Sequence, residues 1–170
     1  VNLLEEGIDV ALRVRDTVED SGSMVVKRLD VARSILVGAP SVLQGRAVPQ
    51  DPQDLQDLPA IAMSAQEGLC TWSLVGPRGQ SEQVQHPVRY VADDLLSLKM
   101  AALQGVGMCV IPDYMCTDAL HDGRLVRLLP QWSQHPGIVH AVFPSRRGLL
   151  PAVRALIDYL AERFEALDEP

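Results

Sequence analysis

The side chains that most often carry out chemistry in proteins, histidine and cysteine, are few and scattered along this sequence. They are Cys70, His86, Cys109, Cys116, His121, His135 and His140. No histidine lies three or four residues from another histidine or from a cysteine, and the cysteines form no CxxC pair, so no local metal-ligand spacing is present. We therefore predict no metal site and interpret the three cysteines as reduced, buried thiols.

Motifs that mark catalytic centres are also absent from the sequence. It holds no GxSxG nucleophile elbow, no HExxH and no GxxxxGKS or GxxxxGKT phosphate loop. Gly105 and Gly107 lack the third glycine of a dinucleotide fingerprint and precede a strand, which is typical of a helix end and a tight turn. Glu5 and Glu6 point to different helix faces and form no acid/base pair. We predict that the chain is not an enzyme and uses no cofactor.

Two further features have both a structural and a binding interpretation. Arg146 and Arg147 lie in a loop just after a predicted strand, where a basic turn is favoured over an anion site. Trp132 follows Pro130 after another predicted strand. We interpret it as a wedge under a loop in preference to a platform for a ligand.

The composition is that of an acidic globular chain. Its 170 residues are 47% hydrophobic and 22% charged, with 15 basic and 22 acidic side chains and a formal net charge of -7. Because nucleic-acid binding depends on clustered Lys and Arg, this balance argues against direct DNA contact by this segment. No apolar run of about 18 residues and no signal-peptide pattern is visible, so we expect a cytoplasmic protein without membrane contact. The sequence begins at Val1 within a helical pattern, which suggests a piece of a longer chain.

The spacing of apolar residues predicts alternating strands and helices. Strands are expected at 8–14, 24–29, 34–38, 61–63, 72–75, 88–91, 107–111, 124–129 and 138–143. Helices are expected at 54–58, 94–104 and 113–122 and from Pro151 onward. Asp93 or Asp94 can cap the second of these helices and Gly105 can end it. This alternation favours an α/β fold with a mostly parallel sheet.

Seven stretches of the sequence, in the same order and spacing, resemble the family of LysR-type transcriptional regulators. They are LLEEGIDVALR at 3–13, LVGAP at 36–40, PxxPxxL at 49–55, AAxxGxGxxxxP at 101–112, GRLVxLLPxW at 123–132, HAVFPSRR at 140–147 and PxVRALIDYL at 151–160. Each stretch alone is a weak signal. Together they cover essentially the whole chain, which makes the resemblance specific.

The resemblance implies the effector-sensing domain of such a regulator. Its fold is α/β, with two lobes joined by two crossover strands, like a type 2 periplasmic binding protein. Lobe I would comprise 1–34 and 142–170, lobe II would comprise 35–141, and the crossovers would lie near 33–37 and 138–143. We expect lobe I to be incomplete, because the strand and helix that begin it in the family are missing, which leaves sheet edges without partners. The winged helix-turn-helix DNA-binding domain is absent from this chain.

The resemblance also implies a small-molecule inducer in the cleft between the lobes. The implied effector-binding residues are Arg13, Ser64, Ala92, Asp93, Asp94 and Leu95. Independently of the family, a helix start offers free backbone N–H groups and a positive dipole end to a polar ligand. Two carboxylates at this start satisfy those groups themselves and repel an anion, so we expect a neutral or amine-bearing effector. Structural roles remain as alternatives: Asp93 as a helix cap, Ser64 as a strand-end hydroxyl and Arg13 as the partner of a carboxylate.

The expected partners follow from the same resemblance. Besides the effector, they are DNA, bound only through the missing N-terminal domain, and further copies of the chain in a homodimer or homotetramer. The alternative function is a stand-alone solute-binding protein of the same two-lobe fold. The absence of a signal-peptide pattern argues against this alternative.

Overall fold

The computed structural model describes Leu3, residues 5–15, Thr17, residues 23–145 and residues 150–168, with side chains as far as residue 166. The chain divides into two compact units. Unit 1 combines Val1–Ala32 with Pro136–Pro170, and unit 2 is the continuous segment Arg33–His135. Among the described residues, no helix is both long and apolar enough to span a bilayer.

The described residues form ten strands and three α-helices. The strands are β1 (Ala11–Arg15), β2 (Met24–Ala32), β3 (Ser34–Gly38), β4 (Ala60–Ala62), β5 (Leu69–Val75), β6 (Ser81–Val91), β7 (Cys109–Pro112), β8 (Val126–Arg127), β9 (Ser133–Gln134) and β10 (Gly137–Pro144). The helices are α1 (Leu95–Leu103), α2 (Thr117–His121) and α3 (Pro151–Asp168). Short 3-10 turns lie at Pro40–Leu43, Pro52–Leu55 and Asp113–Met115.

Unit 1 is a three-stranded antiparallel sheet with one helix packed on it. β10 is the central strand and pairs with β1 on one side and β2 on the other. Ala141 and Phe143 of β10 pack with Val153 and Ile157 of α3. Because Val153 and Ile157 are four residues apart, they share one face of the helix. The apolar spacing that predicted a final helix therefore supplies the core of this unit.

Unit 2 buries apolar clusters on both sides of its inner strands. In β3, Leu36 belongs to one cluster, whereas Ile35 and Val37 belong to the other. β4 alternates between the two clusters in the same way. Since successive side chains of a strand point to opposite faces, a strand buried on both faces has an uninterrupted apolar sequence. This is the pattern that predicted buried strands at 34–38 and 61–63.

The expectation of a mostly parallel sheet is wrong for the described strands. β4 and β6 pair in parallel and a parallel bridge joins Ala60 to Met108. The other described strand pairs are antiparallel. One reason is the short connection between β5 and β6, where Gly79 N donates to Gly76 O at 2.9 Å. A link of this length permits only a hairpin, because parallel neighbours need a crossover of a dozen or more residues.

Several elements differ in length from the sequence-based expectation. The helix expected at 54–58 is the 3-10 turn Pro52–Leu55, and the helix expected at 113–122 is divided into Asp113–Met115 and α2. The strands expected at 72–75 and 88–91 are the ends of the longer β5 and β6. The strand expected at 124–129 is reduced to β8, because the chain turns at Leu129, which adopts a left-handed φ of 51°.

Candidate functional site

The parallel pairing of β4 with β6 brings two predicted site segments to one edge of the sheet. Ala62 at the end of β4 is in register with Val91 at the end of β6, and Ala92 N donates to Ala62 O at 3.1 Å. Parallel neighbours end at the same edge of a sheet, so the residues that follow β4 and β6 are brought together there. Ser64 leaves β4 at this edge, and Asp93 leaves β6 there. We call Ser64, Ala92, Asp93, Asp94 and Leu95 the edge cluster.

The helix that follows β6 begins within the edge cluster. Asp94 is the N-cap of α1, and its Oδ1 accepts a hydrogen bond from Ser97 N at 2.8 Å. Hydrogen bonds from the Ser97 side chain and backbone hold the pKa of Asp94 below its usual value. The carboxylate is therefore ionised at neutral pH and compensates the free N–H groups of the first turn. The predicted cap is confirmed at Asp94, and Asp93 is left outside the capping interaction.

The other end of α1 is also fixed by its sequence. Gly105 has a φ of 72°, the left-handed conformation that a glycine adopts most readily after a helix. Leu98 and Ala102, one turn apart, are 1% and 0% exposed. Because the buried face and both ends of this helix are determined, the first turn stays at the end of β6. The edge cluster is therefore built on a rigid support.

Solvent exposure divides the edge cluster into supporting and accessible residues. Ala92 is buried and Leu95 is half-buried, whereas Ser64, Asp93 and Asp94 are exposed. Exposed apolar side chains flank them, of which Leu96 is 62% and Val91 is 49% exposed. The accessible groups are thus a hydroxyl and two carboxylates beside apolar surface. Such a surface can accept hydrogen bonds from hydroxyl or amine groups of a ligand with an apolar body.

Arg13, the sixth predicted site residue, lies in unit 1. It is a half-buried residue of β1 opposite His140 of β10. His140 is 3% exposed, and its Nδ1 lies 2.8 Å from Ile138 O. The structure thus places five of the six predicted residues in the edge cluster and Arg13 in the sheet of the other unit.

The thiols are poor candidates for chemistry. Cys70, Cys109 and Cys116 are all buried, as the sequence predicted. Burial, together with the neighbouring Cys116, raises the pKa of Cys109 to about 12, so its reactive thiolate form is rare at neutral pH. Within the described ranges, no three His, Cys, Asp or Glu side chains are grouped closely enough to hold a metal ion.

The structural interpretation of Trp132 is confirmed. Its side chain is 4% exposed, and its Nε1 donates to Gln50 O at 3.1 Å. The indole therefore anchors the segment around Gln50 to the body of unit 2. Arg146 and Arg147, the other pair with two interpretations, lie outside the described residues.

Two features of unit 2 were not predicted from the sequence. His86 in β6 is 3% exposed, and burial lowers its pKa, so the imidazole is neutral in the fold. The signal was available, because Val84 and Val88 lie two residues away on the same face of the strand. The second feature is a cavity of about 350 Å³ beside residues 43–50, which no pattern in this loop indicates and which the edge cluster does not line.

Comparison with known proteins identifies the family. The LysR substrate binding domain family matches residues 1–165. The chain is 29% identical over 171 residues to the probable HTH-type transcriptional regulator LtrA of Klebsiella pneumoniae, covering 99% of this chain and 54% of that protein. It is 32% identical over 163 residues to the HTH-type transcriptional regulator PtxR of Pseudomonas aeruginosa, covering 96% and 51%. The chain thus spans about half the length of these curated relatives.

Solved structures of regulatory domains share the fold. The regulatory domain of AphB from Vibrio vulnificus superposes with a TM-score of 0.76 at 26% identity, covering 93% of this chain and 76% of that chain. The regulatory domain of CrgA, a LysR-type transcriptional regulator from Neisseria meningitidis, has a TM-score of 0.78 at 23% identity, covering 96% and 79%. These likenesses confirm the predicted α/β, periplasmic-binding-protein-like fold class.

The named relatives are transcriptional regulators, in agreement with the regulator prediction and not with the alternative of a stand-alone solute-binding protein. The family match extends over nearly the whole sequence, so it includes both units. The chain belongs to the LysR substrate binding domain family.

Proposed function

We propose that this chain is the effector-sensing domain of a cytoplasmic LysR-type transcriptional regulator and has no enzymatic activity of its own. Unit 1 corresponds to lobe I and unit 2 to lobe II. The whole protein binds DNA through a winged helix-turn-helix domain that this chain does not contain, and it acts as a homodimer or homotetramer. The family match and the helix-turn-helix type of the relatives support this proposal.

One observation carries the assignment of effector contacts. The parallel register of β4 and β6 places Ser64 and the start of α1 at the same edge of the sheet. Two strand ends and a helix start then offer a hydroxyl and carboxylates to one ligand. Arg13 is proposed as a further contact on the family resemblance.

The charge of the edge cluster favours one class of effector. Asp94 is held ionised by the hydrogen bonds that it accepts from Ser97, and Asp93 adds a second exposed carboxyl group beside it. A carboxylate ligand would meet like charges here, whereas an amine or a polyol would find acceptors. We therefore propose a neutral or amine-bearing effector.

A thermal-shift screen of metabolites followed by calorimetry tests this proposal. We expect hits among amines and neutral polar molecules, with 1,4-diaminobutane raising the melting temperature more than succinate does. Asp93→Asn and Ser64→Ala should weaken binding of a hit by roughly tenfold each, as expected for loss of a ligand hydrogen bond. Glu82→Gln is the matched control, because Glu82 is exposed and lies at the opposite end of β6 from the edge cluster.

The opposite pattern would reject the effector class. In that pattern succinate binds tightly, Ser64→Ala abolishes the binding, and Asp93→Ser leaves it unchanged. The regulatory role has its own test in the full-length protein, where a hit should change the affinity for promoter DNA. An effector that binds without any such change would count against a sensing function.

A further inference from the structure

Unit 2 contains a cavity of about 350 Å³ that is separate from the edge cluster. Leu43, Val48, Pro49 and Leu58 provide its apolar lining, and Arg46 and Asp54 are among its polar groups. The volume falls at the lower end of the range of small-molecule sites in proteins. Since none of the edge residues lines it, the cavity requires its own explanation.

Hydrogen bonds from a distant part of the chain hold one wall of the cavity. Leu129 N donates to Pro49 O at 3.0 Å, and Trp132 Nε1 donates to Gln50 O at 3.1 Å. Leu129 is fully buried although its φ is 51°, a conformation that bulky residues rarely adopt. Such a conformation persists only where the surrounding structure fixes it.

Local capping holds the same wall from the other side. Asp54 Oδ2 accepts hydrogen bonds from Gln50 N at 3.0 Å and Asp51 N at 3.1 Å. These bonds keep the pKa of Asp54 below its usual value. Because these two sets of hydrogen bonds fix the loop, the cavity is formed before a ligand binds. A preformed site lowers the entropic cost of binding.

The floor of the cavity is continuous with the apolar core. Leu43 and Leu58 are 7% and 5% exposed and belong to the cluster that also holds Trp72, and Val48 packs against that cluster. An apolar ligand body placed here would lose its water contacts without meeting an unpaired buried polar group.

The charged groups at the cavity differ in how fully they are engaged. The Asp54 oxygen named above already accepts two backbone N–H groups. Arg46 Nη1 lies 3.5 Å from Asp57 Oδ2, with the two side chains 53% and 79% exposed. Exposed ion pairs of this kind contribute little, and a guanidinium has five N–H donors. Arg46 can therefore turn toward a carboxylate at the cavity at little cost.

We propose that this cavity is a second small-molecule site, which takes an amphipathic carboxylate. The apolar body lies against Leu43, Val48 and Leu58, and the carboxylate binds the Arg46 guanidinium. The proposal does not depend on what binds the edge cluster. The preference for a carboxylate rests on Arg46, because the Asp54 oxygen nearest the loop backbone already accepts two N–H groups.

Calorimetry on the full chain with three ligands of one shape tests the charge preference. The probes are 3-phenylpropanoate, 3-phenylpropanamide and 3-phenylpropylamine. We expect the carboxylate to bind about tenfold more tightly than the amide, and the amine to bind least, as expected for one charge-assisted hydrogen-bonded pair. Backbone amide NMR shifts should change at Ala47 and Val48 and remain constant at Ser64 and Asp93.

Three variants locate the site. Arg46→Met, which keeps the apolar stem, should remove the preference for the carboxylate, and Ala47→Trp should block binding by filling the cavity. Arg78→Met, in the turn between β5 and β6, should leave binding unchanged. The proposal is overturned by equal or tighter binding of the amine, by no saturable binding of the carboxylate at millimolar concentration, or by shifts at Ser64 and Asp93 in place of Ala47 and Val48.

Discussion

The imidazole of His86 packs against the indole of Trp72, with ring centroids 5.2 Å apart and planes inclined by 36°. Both residues are buried in unit 2, at 3% and 5% exposure. In the described part of the chain, His86 Nε2 has no hydrogen-bond partner. A protonated imidazole here would be a buried charge without a counter-ion, so the fold holds His86 neutral.

This contact predicts that acid destabilises the chain. Burial lowers the pKa of His86 in the folded state, so the unfolded chain binds more protons, and stability rises with pH. The contribution is complete above the unfolded pKa of about 6.5 and is lost as pH falls below it, by at most about 1.4 kcal/mol per pH unit. Urea unfolding between pH 7.5 and 5 measures it. His86→Leu should flatten the profile, whereas exposed His135→Gln should leave it unchanged.

The N-cap of α1 gives a second prediction. Asp94→Ala removes the acceptor for Ser97 N and should lower the urea concentration at the unfolding midpoint, because the first turn of α1 loses its cap. Asp93→Ala should cost less, because Asp93 is not the cap. Chemical denaturation measures both. Equal losses would show that the two carboxyl groups share the capping role.

Close backbone packing at Gly107 gives a third prediction. A Cβ at this position would lie 2.7 Å from Pro59 O, and Met108 N donates to the same oxygen at 2.7 Å. Gly107→Ala should therefore destabilise unit 2 by about 1 to 3 kcal/mol through overpacking. Gly38→Ala is the control, since the nearest atom to its Cβ would be 3.5 Å away. Similar melting temperatures for the two variants would contradict the packing argument.

The thiols give a fourth prediction. All three cysteines are buried, and the pKa of Cys109 is raised to about 12. At pH 8 only about one Cys109 in ten thousand would be the reactive thiolate. Ellman's reagent should therefore label the native chain very slowly and label three thiols after denaturation. Fast labelling of a native thiol would show that one of them reaches solvent.

The local elements could be predicted well where a sequence pattern has one physical cause. The cap at Asp94, the helix end at Gly105 and the buried strand β3 follow from capping, left-handed glycine and two-sided burial. The prediction of mostly parallel strand pairing was wrong, because strand pairing depends on tertiary contacts between distant segments. The burial of His86 was missed, although the alternation of Val84, His86 and Val88 marks the inner face of β6.

The edge cluster and the cavity also differ in how far the sequence predicts them. Ser64 and the start of α1 follow strands, so their common edge could be anticipated from the family resemblance. The cavity beside Arg46 depends on hydrogen bonds between Leu129 or Trp132 and a loop some eighty residues away. No local pattern encodes a contact over that separation.

The order of strands in unit 1 has a consequence for synthesis on the ribosome. β10 separates β1 from β2 in the sheet, although both strands precede unit 2 in the sequence and β10 follows it. During translation β1 and β2 therefore remain unpaired, because β10 has not yet been synthesised, while the continuous unit 2 emerges and folds. In nascent chains arrested after His135, unit 2 should therefore resist protease, whereas β1 and β2 should be cleaved or bound by chaperones.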